Sequence, residues 1–543
     1  MQKIKPYLFT LIFIYYSSLL FGQHTIQEND YTVTFQKESI AIQFEMPVAL
    51  KAYDNTTAAE INITHNADKP NLFVLQNTKP AQIIKLEYTY LYGRNYQLQT
   101  RYLASPSTSS GTIDVFFNHI VNTAFAQTQN AVNLANTLDD RLITYINACV
   151  STLDIAIYSS SSTGIAAAIN AAYNRGVQVR VVYDGSTTSS MIGLLNPLIP
   201  TIASPNSSLF GIMHNKFVIF DANNSDATKP FVWTGSTNWT TSQIDGPDLN
   251  SAIVIQDQAL ALGYKIEFEE MWGSTTITPN VVLSKFGPNK TDNTPHNYVI
   301  GGKIVNSYFS PSDGTTAKII NAINSANTDV DVATMLITRS DIREALIAKY
   351  NSGVSQVNIV VDSQNPSGNQ LLNLQAGINS SQVIVFTLTG IMHHKFMVID
   401  NFNATSDPQV VLGSHNWSNS AEVRNDENTL IVHDANVTNQ YYQAFAYIYQ
   451  QAGGVLATNE NAITNGDLVL YPNPTHGMFT IASSTTLEDS SISVYDVFGH
   501  QLQEKLSTDL VQETIDLSGY ANGLYLISVT SKDKRDVFKV VKE

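Results

Sequence analysis

The sequence predicts an α/β protein of two similar lobes related by a pseudo-twofold axis, flanked by an N-terminal β-rich region and a C-terminal β-sandwich. The first supporting observation is a duplication: residues 211–239 and 390–417 both carry His-x-Lys-x4-Asp followed by Gly-Ser-x-Asn-Trp. The second is that strands and helices alternate around both copies in the same order. The third is a change to short strands and frequent turns towards both ends of the chain.

The N-terminus has the layout of a secretory signal peptide. Two lysines precede an apolar run over residues 7–20, which ends near the small residue Gly22. The run is short for spanning a bilayer, which takes about 20 apolar residues. We therefore expect residues 1–22 to be cleaved rather than to anchor the protein.

The composition is typical of several packed domains without a broadly basic surface. The 543 residues are 43% hydrophobic and 14% charged, and a domain takes roughly 100–200 residues. The formal net charge of −16 argues against a nucleic-acid-coating surface, although a local cationic groove stays open. Cys149 is the only cysteine, which excludes a disulfide framework and a thiolate metal cluster.

Residues 24–104 are predicted to form the β-rich N-terminal region. Short alternating runs such as 31–35 and 84–90 are separated by turns with Asn, Asp and Pro. We find no chemistry in this region. A Ser/Thr-rich linker leads from it into the lobes.

The two lobes are predicted over residues 111–273 and 301–450. The matching segments are strand 113–119, helix 138–150, strand 153–159, helix 165–177 and strand 178–184, and then strand 305–311, helix 317–326, strand 329–335, helix 341–354 and strand 356–362. Strands that alternate with helices at this spacing predict mixed α/β lobes with mostly parallel strands. An aromatic-rich helix, over 259–272 or 439–450, ends each lobe.

Residues 467–543 are predicted to form a small β-sandwich. The pattern YPNP with a following Gly, then VYDVFG, then GLYLISV and a basic end, resembles the type A sorting domain of the type IX secretion system. The resemblance implies the type IX secretion machinery as a partner. It also implies that the protein is secreted or held at the cell surface, with this domain usually removed.

The duplicated motif supplies two equivalent sets of polar side chains. Side chains two apart on a strand share a face, so each His-x-Lys segment presents an imidazole and an ammonium group together. The following Gly-Ser-x-Asn turn adds a hydroxyl and an amide. Lys and Asn can grip phosphoryl oxygens, and His can both attack phosphorus and carry protons. Two half-sites at the twofold axis would supply one nucleophile and one acid without any metal or cofactor.

His-x-Lys-x4-Asp with Gly-Ser-x-Asn, present twice, resembles the phospholipase D superfamily over residues 111–450. The resemblance implies two phospholipase D-like lobes, attack by one histidine on a phosphodiester, and a phosphohistidine intermediate. The implied catalytic residues are His214, His393, Lys216, Lys395, Asn238, Asn416 and Glu427, with Ser236 and Ser414 as substrate-binding residues. Asp221 and Asp400 belong to the motif but point away from the histidine face, and the resemblance implies a structural position for both.

The two copies differ at one position of the pattern. Eleven residues after Asn416 lies Glu427, where the family places a carboxylate that orients a catalytic imidazole. The corresponding residue of the first copy is Leu249, although Asp248 could substitute through a local bulge. On this pattern His393 is the better-supported imidazole, whereas family precedent gives the nucleophile to His214.

Other histidines carry less information. His119 follows a strand end and could line the cleft, although a surface or structural position is the commoner outcome. His394 and His415 neighbour motif residues but fall out of phase with them. No spacing indicates zinc ligands, a P-loop or a dinucleotide site.

Three functions stay open. The first is a secreted phospholipase D-type hydrolase cutting a phospholipid headgroup, and the apolar segment 191–200 could touch a membrane or lie buried. The second is a secreted endonuclease of the same superfamily, which the compact second motif favours but the scarcity of basic residues does not. The third is a non-catalytic cell-surface binding protein. A single chain contains both half-sites, so no obligate protein partner is expected.

Overall fold

The computed structural model describes residues 24–542 apart from positions 29, 37, 67, 208, 355, 364–367, 457–462, 466–467, 472, 476 and 533. The expected signal peptide, residues 1–22, lies outside the described residues. Among the helices of the described ranges, none combines the length and the apolar character needed to cross a bilayer.

The N-terminal region is made of two antiparallel sheets, as its alternating pattern predicts. Its strands are β1 (His24–Gln27), β2 (Tyr31–Phe35), β3 (Ser39–Phe44), β4 (Ala49–Asp54), β5 (Ile63–Asn66), β6 (Lys69–Gln76), β7 (Ile83–Tyr92) and β8 (Asn95–Ala104). One sheet has the order β1-β2-β3-β6-β5 and the other β4-β7-β8. Inward-facing side chains such as Tyr31, Phe44 and Tyr88 are buried together, and Val299 of the second lobe joins the same apolar cluster.

The first lobe is built on one eight-stranded sheet. Its elements are β9 (Ile113–Phe117), β10 (Val132–Asn133), α1 (Leu138–Ala148), β11 (Thr152–Ile157), α2 (Thr163–Asn174), β12 (Gln178–Tyr183), β13 (Thr201–Ala203), β14 (Lys216–Phe220), β15 (Phe231–Gly235), α3 (Thr241–Ile244), β16 (Ser251–Ile255) and α4 (Gln258–Trp272). The strand order is β10-β9-β16-β15-β14-β11-β12-β13.

The second lobe repeats this arrangement. Its elements are β17 (Asn297–Ile300), β18 (Lys303–Ser310), α5 (Thr315–Ser325), β19 (Asp329–Thr334), α6 (Ser340–Asn351), β20 (Gln356–Asp362), α7 (Leu371–Gly377), β21 (Val383–Phe386), β22 (Lys395–Ile399), β23 (Gln409–Gly413), α8 (Asn419–Val423), β24 (Glu427–His433) and α9 (Ala435–Gln451). The strand order is β17-β18-β24-β23-β22-β19-β20-β21. The two-lobed α/β prediction is therefore confirmed.

The expectation of mostly parallel strands is wrong. Only the β11-β12-β13 and β19-β20-β21 ends, together with the short β10-β9 pair, run parallel. The motif strands β14 and β22 pair antiparallel with both of their neighbours. The physical reason is that no crossover helix separates β14 from β15 and β16, or β22 from β23 and β24. Helices α3 and α8 span only 4 and 5 residues, and such short connections return the chain antiparallel.

The two lobes share one apolar core. Helices α4 and α9 each begin at an aspartate whose carboxylate caps the helix, Asp257 and Asp434. Their buried aromatic faces, including Tyr264 and Tyr441, join a single cluster with both sheets. Helices α1 and α2 cover the outer face of the first sheet, and α5 and α6 cover that of the second. This packing fixes the two motif strands relative to one another.

The C-terminal region is β-rich. Its strands are β25 (Ile463–Asn465), β26 (Leu468–Tyr471), β27 (Met478–Tyr495), β28 (Gln501–Asp516), β29 (Gly523–Ser531) and β30 (Lys534–Lys542). They form one hydrogen-bonded path, β25-β26-β27-β29-β30, with β28 paired along β27. A register shift between Ala482 and Leu487 interrupts the long β27-β28 pairing, and the region encloses its own apolar cluster.

Candidate active site

Each motif histidine lies where the backbone of its lobe contacts the backbone of the other lobe. The backbone N–H of His214 donates to the carbonyl of Asp426 at 2.9 Å, and that of His393 donates to the carbonyl of Leu249 at 3.0 Å. Short parallel bridges accompany both bonds. These paired contacts bring the predicted histidines of the two lobes into one site, next to the loop that follows the partner lobe's Gly-Ser-x-Asn segment.

The carboxylate of Glu427 serves the histidine of the opposite lobe. Its Oε2 atom lies 2.6 Å from Nδ1 of His214, and both side chains are buried. The expectation that Glu427 supports His393 is therefore wrong, and so is the inference that His393 has the stronger partner. The reason is the cross-lobe strand contact, which places the residue after Asp426 beside His214. A sequence pattern within one repeat contains no such signal.

His393 has an amide partner instead of a carboxylate. Its Nδ1 atom lies 2.9 Å from Oδ1 of Asn250. Strand pairing shows that Asn250 is the counterpart of Glu427, because Gly235 faces Ala252 whereas Gly413 faces Thr429. The first lobe therefore contains one extra residue in this loop, which hides the equivalence. Asp248, the substitute considered from the sequence, instead accepts from the backbone of Ile391 at 2.8 Å.

The surroundings of Asn250 fix which atom faces the imidazole. Its Nδ2 donates to the carbonyls of Gln243 and Asp248, at 3.0 and 3.2 Å. Its Oδ1 accepts from the hydroxyl of Ser236 at 2.9 Å and faces His393. Since an amide oxygen only accepts, Nδ1 of His393 carries the hydrogen. The Nε2 atom of His393 is thus the one available for proton transfer.

The two lysines are held in symmetric positions. The Nζ atoms of Lys216 and Lys395 each donate to the backbone carbonyl of the histidine two residues earlier, at 2.7 Å. Both ammonium groups are buried, and further donors remain on each for a ligand. Tyr158, which the sequence patterns do not reveal, packs against His214 and Lys216 of the first lobe. Its ring lies 4.8 Å from that of His214 and 5.0 Å from the Lys216 Nζ atom.

The amides and hydroxyls of the Gly-Ser-x-Asn segments differ in their availability. Asn238 donates one N–H to Gln243 at 2.7 Å, and its buried Oδ1 has no hydrogen-bond partner. The Oδ1 of Asn416 is likewise without a partner. Ser236 donates its hydroxyl to Oδ1 of Asn250 at 2.9 Å and so supports that amide. Its contact with substrate stays a prediction. Ser414 accepts from the backbone of Asn428 at 3.0 Å, which leaves its own hydrogen free to donate.

The motif aspartates lie away from the imidazoles. Asp221 accepts from the backbone N–H groups of residues 150–152, and Asp400 accepts from those of residues 327 and 328. They hold the loop between a helix and the neighbouring strand. Two further aspartates act closer to the site: Asp184 accepts from the backbone of Met213 at 2.8 Å, and Asp362 from that of Met392 at 2.7 Å. They fix the backbone immediately before each histidine.

Burial and the paired lysines set the charges of the site. Burial, with a smaller contribution from Lys216 and Lys395, lowers the pKa of His214 to about 4 against the opposing effect of Glu427. Burial, Lys395, Lys216 and His214 hold the pKa of His393 well below its usual range. Burial lowers the pKa of Lys395 to about 7 against the pull of Glu427 and Asp362. The substrate-free site thus contains neutral imidazoles beside two lysines whose pKa values are lowered by burial.

These pKa shifts predict a pH profile. As the pH rises through about 4, His214 becomes neutral and able to attack, so kcat/KM should rise. As the pH rises through about 7, Lys395 loses its charge, so phosphate binding should weaken and KM should increase. The measurement is kcat/KM between pH 3 and 10 in the wild type and in Lys395→Arg, whose guanidinium keeps its charge. An alkaline limb that does not move in Lys395→Arg would contradict the assignment to Lys395.

The remaining histidines lie outside this set. His119 and His394 contact each other through Nε2 atoms 2.8 Å apart, and His119 also contacts the carbonyl of Ile120. Burial lowers the pKa of His119 to about 4. Both histidines are buried, and their rings pack against Phe117 of the first lobe and Phe396 of the second. His415 is buried, with Nε2 at 3.6 Å from Glu422.

The family comparison agrees with this two-lobed arrangement. A family model described as cardiolipin synthase, PLD-like domain matches residues 142–272 and, again, residues 319–449. A second model, described as secretion system C-terminal sorting domain, matches residues 469–543. The predicted phospholipase D-like repeats and the predicted sorting domain are thereby confirmed. The sorting domain indicates type IX secretion to the cell surface or the extracellular space.

Individual relatives match single parts of the chain. A mitochondrial cardiolipin hydrolase from Drosophila melanogaster is 29% identical over 148 residues, covering 24% of this chain and 57% of that protein. A phospholipase D from Rickettsia bellii is 30% identical over 141 residues, covering 26% of this chain and 66% of that protein. The solved structure of NUC, a phospholipase D family member from Salmonella typhimurium, is 26% identical with a TM-score of 0.24, covering 27% of this chain and 94% of that one. The chain thus spans about half to two thirds of the curated relatives described here.

Proposed function

Because residues 142–272 and 319–449 are two domains of the phospholipase D-like family and residues 469–543 are a secretion sorting domain, we propose that the chain is a secreted phosphodiesterase acting on phospholipid headgroups. The observation that carries the proposal is a reciprocal contact across the lobes: His214 of the first lobe is held by Glu427 of the second, and His393 of the second lobe is held by Asn250 of the first. The paired lysines complete a site for one phosphodiester anion.

The reaction proceeds in two displacements at phosphorus. Nε2 of His214 attacks, and the bond from phosphorus to the headgroup oxygen breaks. His393, which takes up a proton on Nε2 from solvent when the anionic substrate binds, gives that proton to the leaving alcohol. His393 then takes a proton from water, the hydroxide attacks phosphorus, and the bond from phosphorus to His214 breaks. The products are the alcohol and a phosphomonoester. The ammonium groups of Lys216 and Lys395 stabilise the oxygens that gain charge during both displacements.

The different partners assign different roles to the two histidines. Attack leaves positive charge on His214, and the carboxylate of Glu427 at 2.6 Å stabilises that charge. His393 must release its proton, and the neutral amide of Asn250 stabilises an imidazolium less than a carboxylate would. The anionic substrate between the lysines offsets the positive charge that otherwise lowers the pKa of His393. We therefore assign His214 as the nucleophile and His393 as the acid and base.

Exposed leucines beside both motifs support a lipid substrate. Leu209 and Leu388 lie five residues before the histidines of their lobes and are 74% and 47% exposed. They occupy equivalent positions in the two repeats, and we infer from the pseudo-twofold that they flank the site. Of the apolar segment 191–200, Leu194 and Leu198 are exposed, whereas Met191 and Ile199 are buried. Apolar side chains at a cleft mouth can enter a lipid surface.

The basic residues give less support to a nuclease. A nucleic-acid groove needs Lys and Arg side chains free to contact phosphates. Several arginines of the lobes are instead paired with carboxylates at nitrogen–oxygen distances of 2.5–2.6 Å: Arg180 with Asp154, Arg339 with Asp341, and Arg343 with Glu344. The chain as a whole has a formal net charge of −16. Endonuclease activity is therefore the alternative outcome of the substrate test.

The substrate test compares vesicles with plasmid DNA. Purified mature protein is incubated separately with phosphatidylcholine vesicles containing cardiolipin and with supercoiled plasmid, and phosphatidyl products and nicked DNA are measured. Cardiolipin is included because several relatives are named as its hydrolases. Release of a phosphomonoester lipid that His214→Ala abolishes would support the proposal. Plasmid nicking without lipid hydrolysis would replace it with the nuclease.

The leucine pair gives a sharper version of this test. Leu209→Ser with Leu388→Ser is expected to lower the rate on vesicles about tenfold, because less apolar surface enters the lipid. The rate on soluble bis-p-nitrophenyl phosphate should stay unchanged, since neither leucine contacts the proposed reacting groups. Equal effects on both substrates would contradict a lipid-contacting position for these residues.

A further inference from the structure

A second polar cluster lies between the N-terminal region and the second lobe. It contains Asp292 and His296 of the connection between the lobes, and Asp313, which follows strand β18. One oxygen or nitrogen atom of each residue lies within 4.8 Å of those of the other two. The cluster shares no residue with the proposed phosphodiesterase site, and the inference below does not depend on that function.

One nitrogen of His296 faces both carboxylates of this cluster. Nε2 of His296 lies 3.2 Å from Oδ1 of Asp292 and 3.3 Å from Oδ2 of Asp313. The same Nε2 atom is buried and makes no hydrogen bond of acceptable geometry with either carboxylate. A charge-assisted N–H···O bond is shorter, at about 2.7–2.9 Å. Metal–ligand bonds of about 2.0–2.2 Å in a tetrahedron give neighbouring ligand atoms a separation of about 3.3–3.6 Å.

A cavity adjoins the three side chains. It has a volume of about 200 Å³ and is lined by polar groups that include Glu28 and Thr294. Thr294 is 3% exposed, and its Oγ1 has no hydrogen-bond partner, so a polar ligand in this cavity would satisfy it. The space is sufficient for a metal-bound water molecule. An unpartnered buried hydroxyl is a second observation, separate from the ligand spacing, that points to a bound group.

The charges of the cavity wall allow a cation. Glu28, Asp292 and Asp313 contribute carboxylates, and Arg101 and Lys318 contribute the opposing charges. The Nζ atom of Lys318 lies over the ring of Tyr308 at 5.1 Å, and Arg101 donates to the backbone carbonyl of Thr100 at 2.9 Å. Without a metal ion, the competing arrangement is a protonated imidazole, since the two aspartates raise the pKa of His296 to about 10 against the effect of burial.

We propose that Asp292, His296 and Asp313 bind one zinc ion, with water in the fourth position next to Thr294. Imidazole with carboxylate ligands suits zinc, whereas calcium and magnesium prefer oxygen ligands alone. The ion joins the connection between the lobes to the start of the second lobe, beside the N-terminal region. It stabilises this junction and takes no part in the phosphodiester reaction. The sequence alone does not reveal the site, because Asp313 joins the other two ligands only through the β17-β18 hairpin.

Zinc binding tests this proposal. Tag-free mature protein is dialysed against EDTA, and bound zinc is then measured by equilibrium dialysis against ZnCl2 with metal analysis. We expect one zinc ion per chain, lost or weakened at least about tenfold in His296→Gln and in Asp292→Asn. The melting temperature should rise by several degrees with zinc in the wild type only. Chelation should leave the phosphodiesterase rate at 25 °C unchanged, which separates this site from the imidazole pair.

The matched control is His433→Gln. His433 also contacts a carboxylate, that of Asp407 at 3.0 Å, but its second nitrogen is hydrogen-bonded to Asn306, so it should not bind zinc. Asp292 is 41% exposed at its side chain, so Asp292→Asn keeps the test valid if His296→Gln does not fold. Zinc binding by both variants equal to that of the wild type would overturn the proposal, as would a wild type that binds no zinc.

Discussion

Replacing either His214 or His393 by alanine is expected to lower hydrolysis of bis-p-nitrophenyl phosphate by at least about 10³-fold. In the proposed mechanism the two imidazoles act on one phosphorus atom, so the loss of either removes the nucleophile or the proton donor. The effect should be the same in the presence of EDTA, because the nucleophile, the acid and the positive charge all come from side chains. The measurement is steady-state release of p-nitrophenol at pH 6.

Two controls make this result specific. His433→Ala removes a histidine outside the site and should retain the wild-type rate. The two catalytic variants should also differ from one another when the leaving group needs little protonation. His393→Ala should still form the phosphoenzyme from the p-nitrophenyl ester, and His214→Ala should not. A rate that survives both alanine substitutions would refute the mechanism.

The second large effect is expected at Glu427. Glu427→Gln keeps the size of the side chain but removes the charge that stabilises His214 after attack, so kcat should fall by about 10³-fold. Asn250→Asp is the matched change at the equivalent position of the other lobe. It adds a carboxylate beside His393, holds the proton more tightly there, and should lower kcat less than about tenfold. The melting temperature of each variant is measured as well, so that a loss of activity through unfolding is recognised.

Comparison of Glu427→Gln with Asn250→Asp distinguishes a contact of Glu427 with His214 across the lobes from a contact with His393 within one lobe. If Glu427 acted on His393, Glu427→Gln and Asn250→Asp would both alter the acid step and leave phosphoenzyme formation from the p-nitrophenyl ester intact. With the observed contact, only Glu427→Gln slows phosphoenzyme formation. A smaller loss in Glu427→Gln than in Asn250→Asp would contradict the assigned roles.

The repeats and their motif residues could be predicted because they are local and duplicated. Alternating segments such as 153–159 and 329–335 correspond closely to β11 and β19. The faces of the motif strands follow from the strand period of two, which places His214 with Lys216 and His393 with Lys395. Prediction of the fold class therefore required only the periodicity and the internal similarity of the sequence. The prediction of mostly parallel strands was wrong because the connections after β14 and β22 give no periodic signal.

The partners of the imidazoles could not be predicted for a physical reason. They depend on contacts between residues of different lobes, such as His214 with Glu427, which lie 213 positions apart. The extra residue before Asn250 also shifts the first lobe out of step with the second, so a count of eleven residues finds Leu249. The pairing register of β15 with β16 restores the equivalence. The position of Tyr158 and the proximity of the proposed zinc ligands Asp292, His296 and Asp313 likewise depend on tertiary packing.

The most direct test is to trap the phosphoenzyme. Protein mixed with a radiolabelled phosphodiester is quenched in alkali within milliseconds, digested, and the labelled peptide is identified by mass spectrometry. The two-imidazole mechanism predicts an acid-labile, base-stable phosphate on His214, which accumulates in His393→Ala and is missing in His214→Ala. Label on His393, or hydrolysis at the wild-type rate with no labelled histidine, would contradict it.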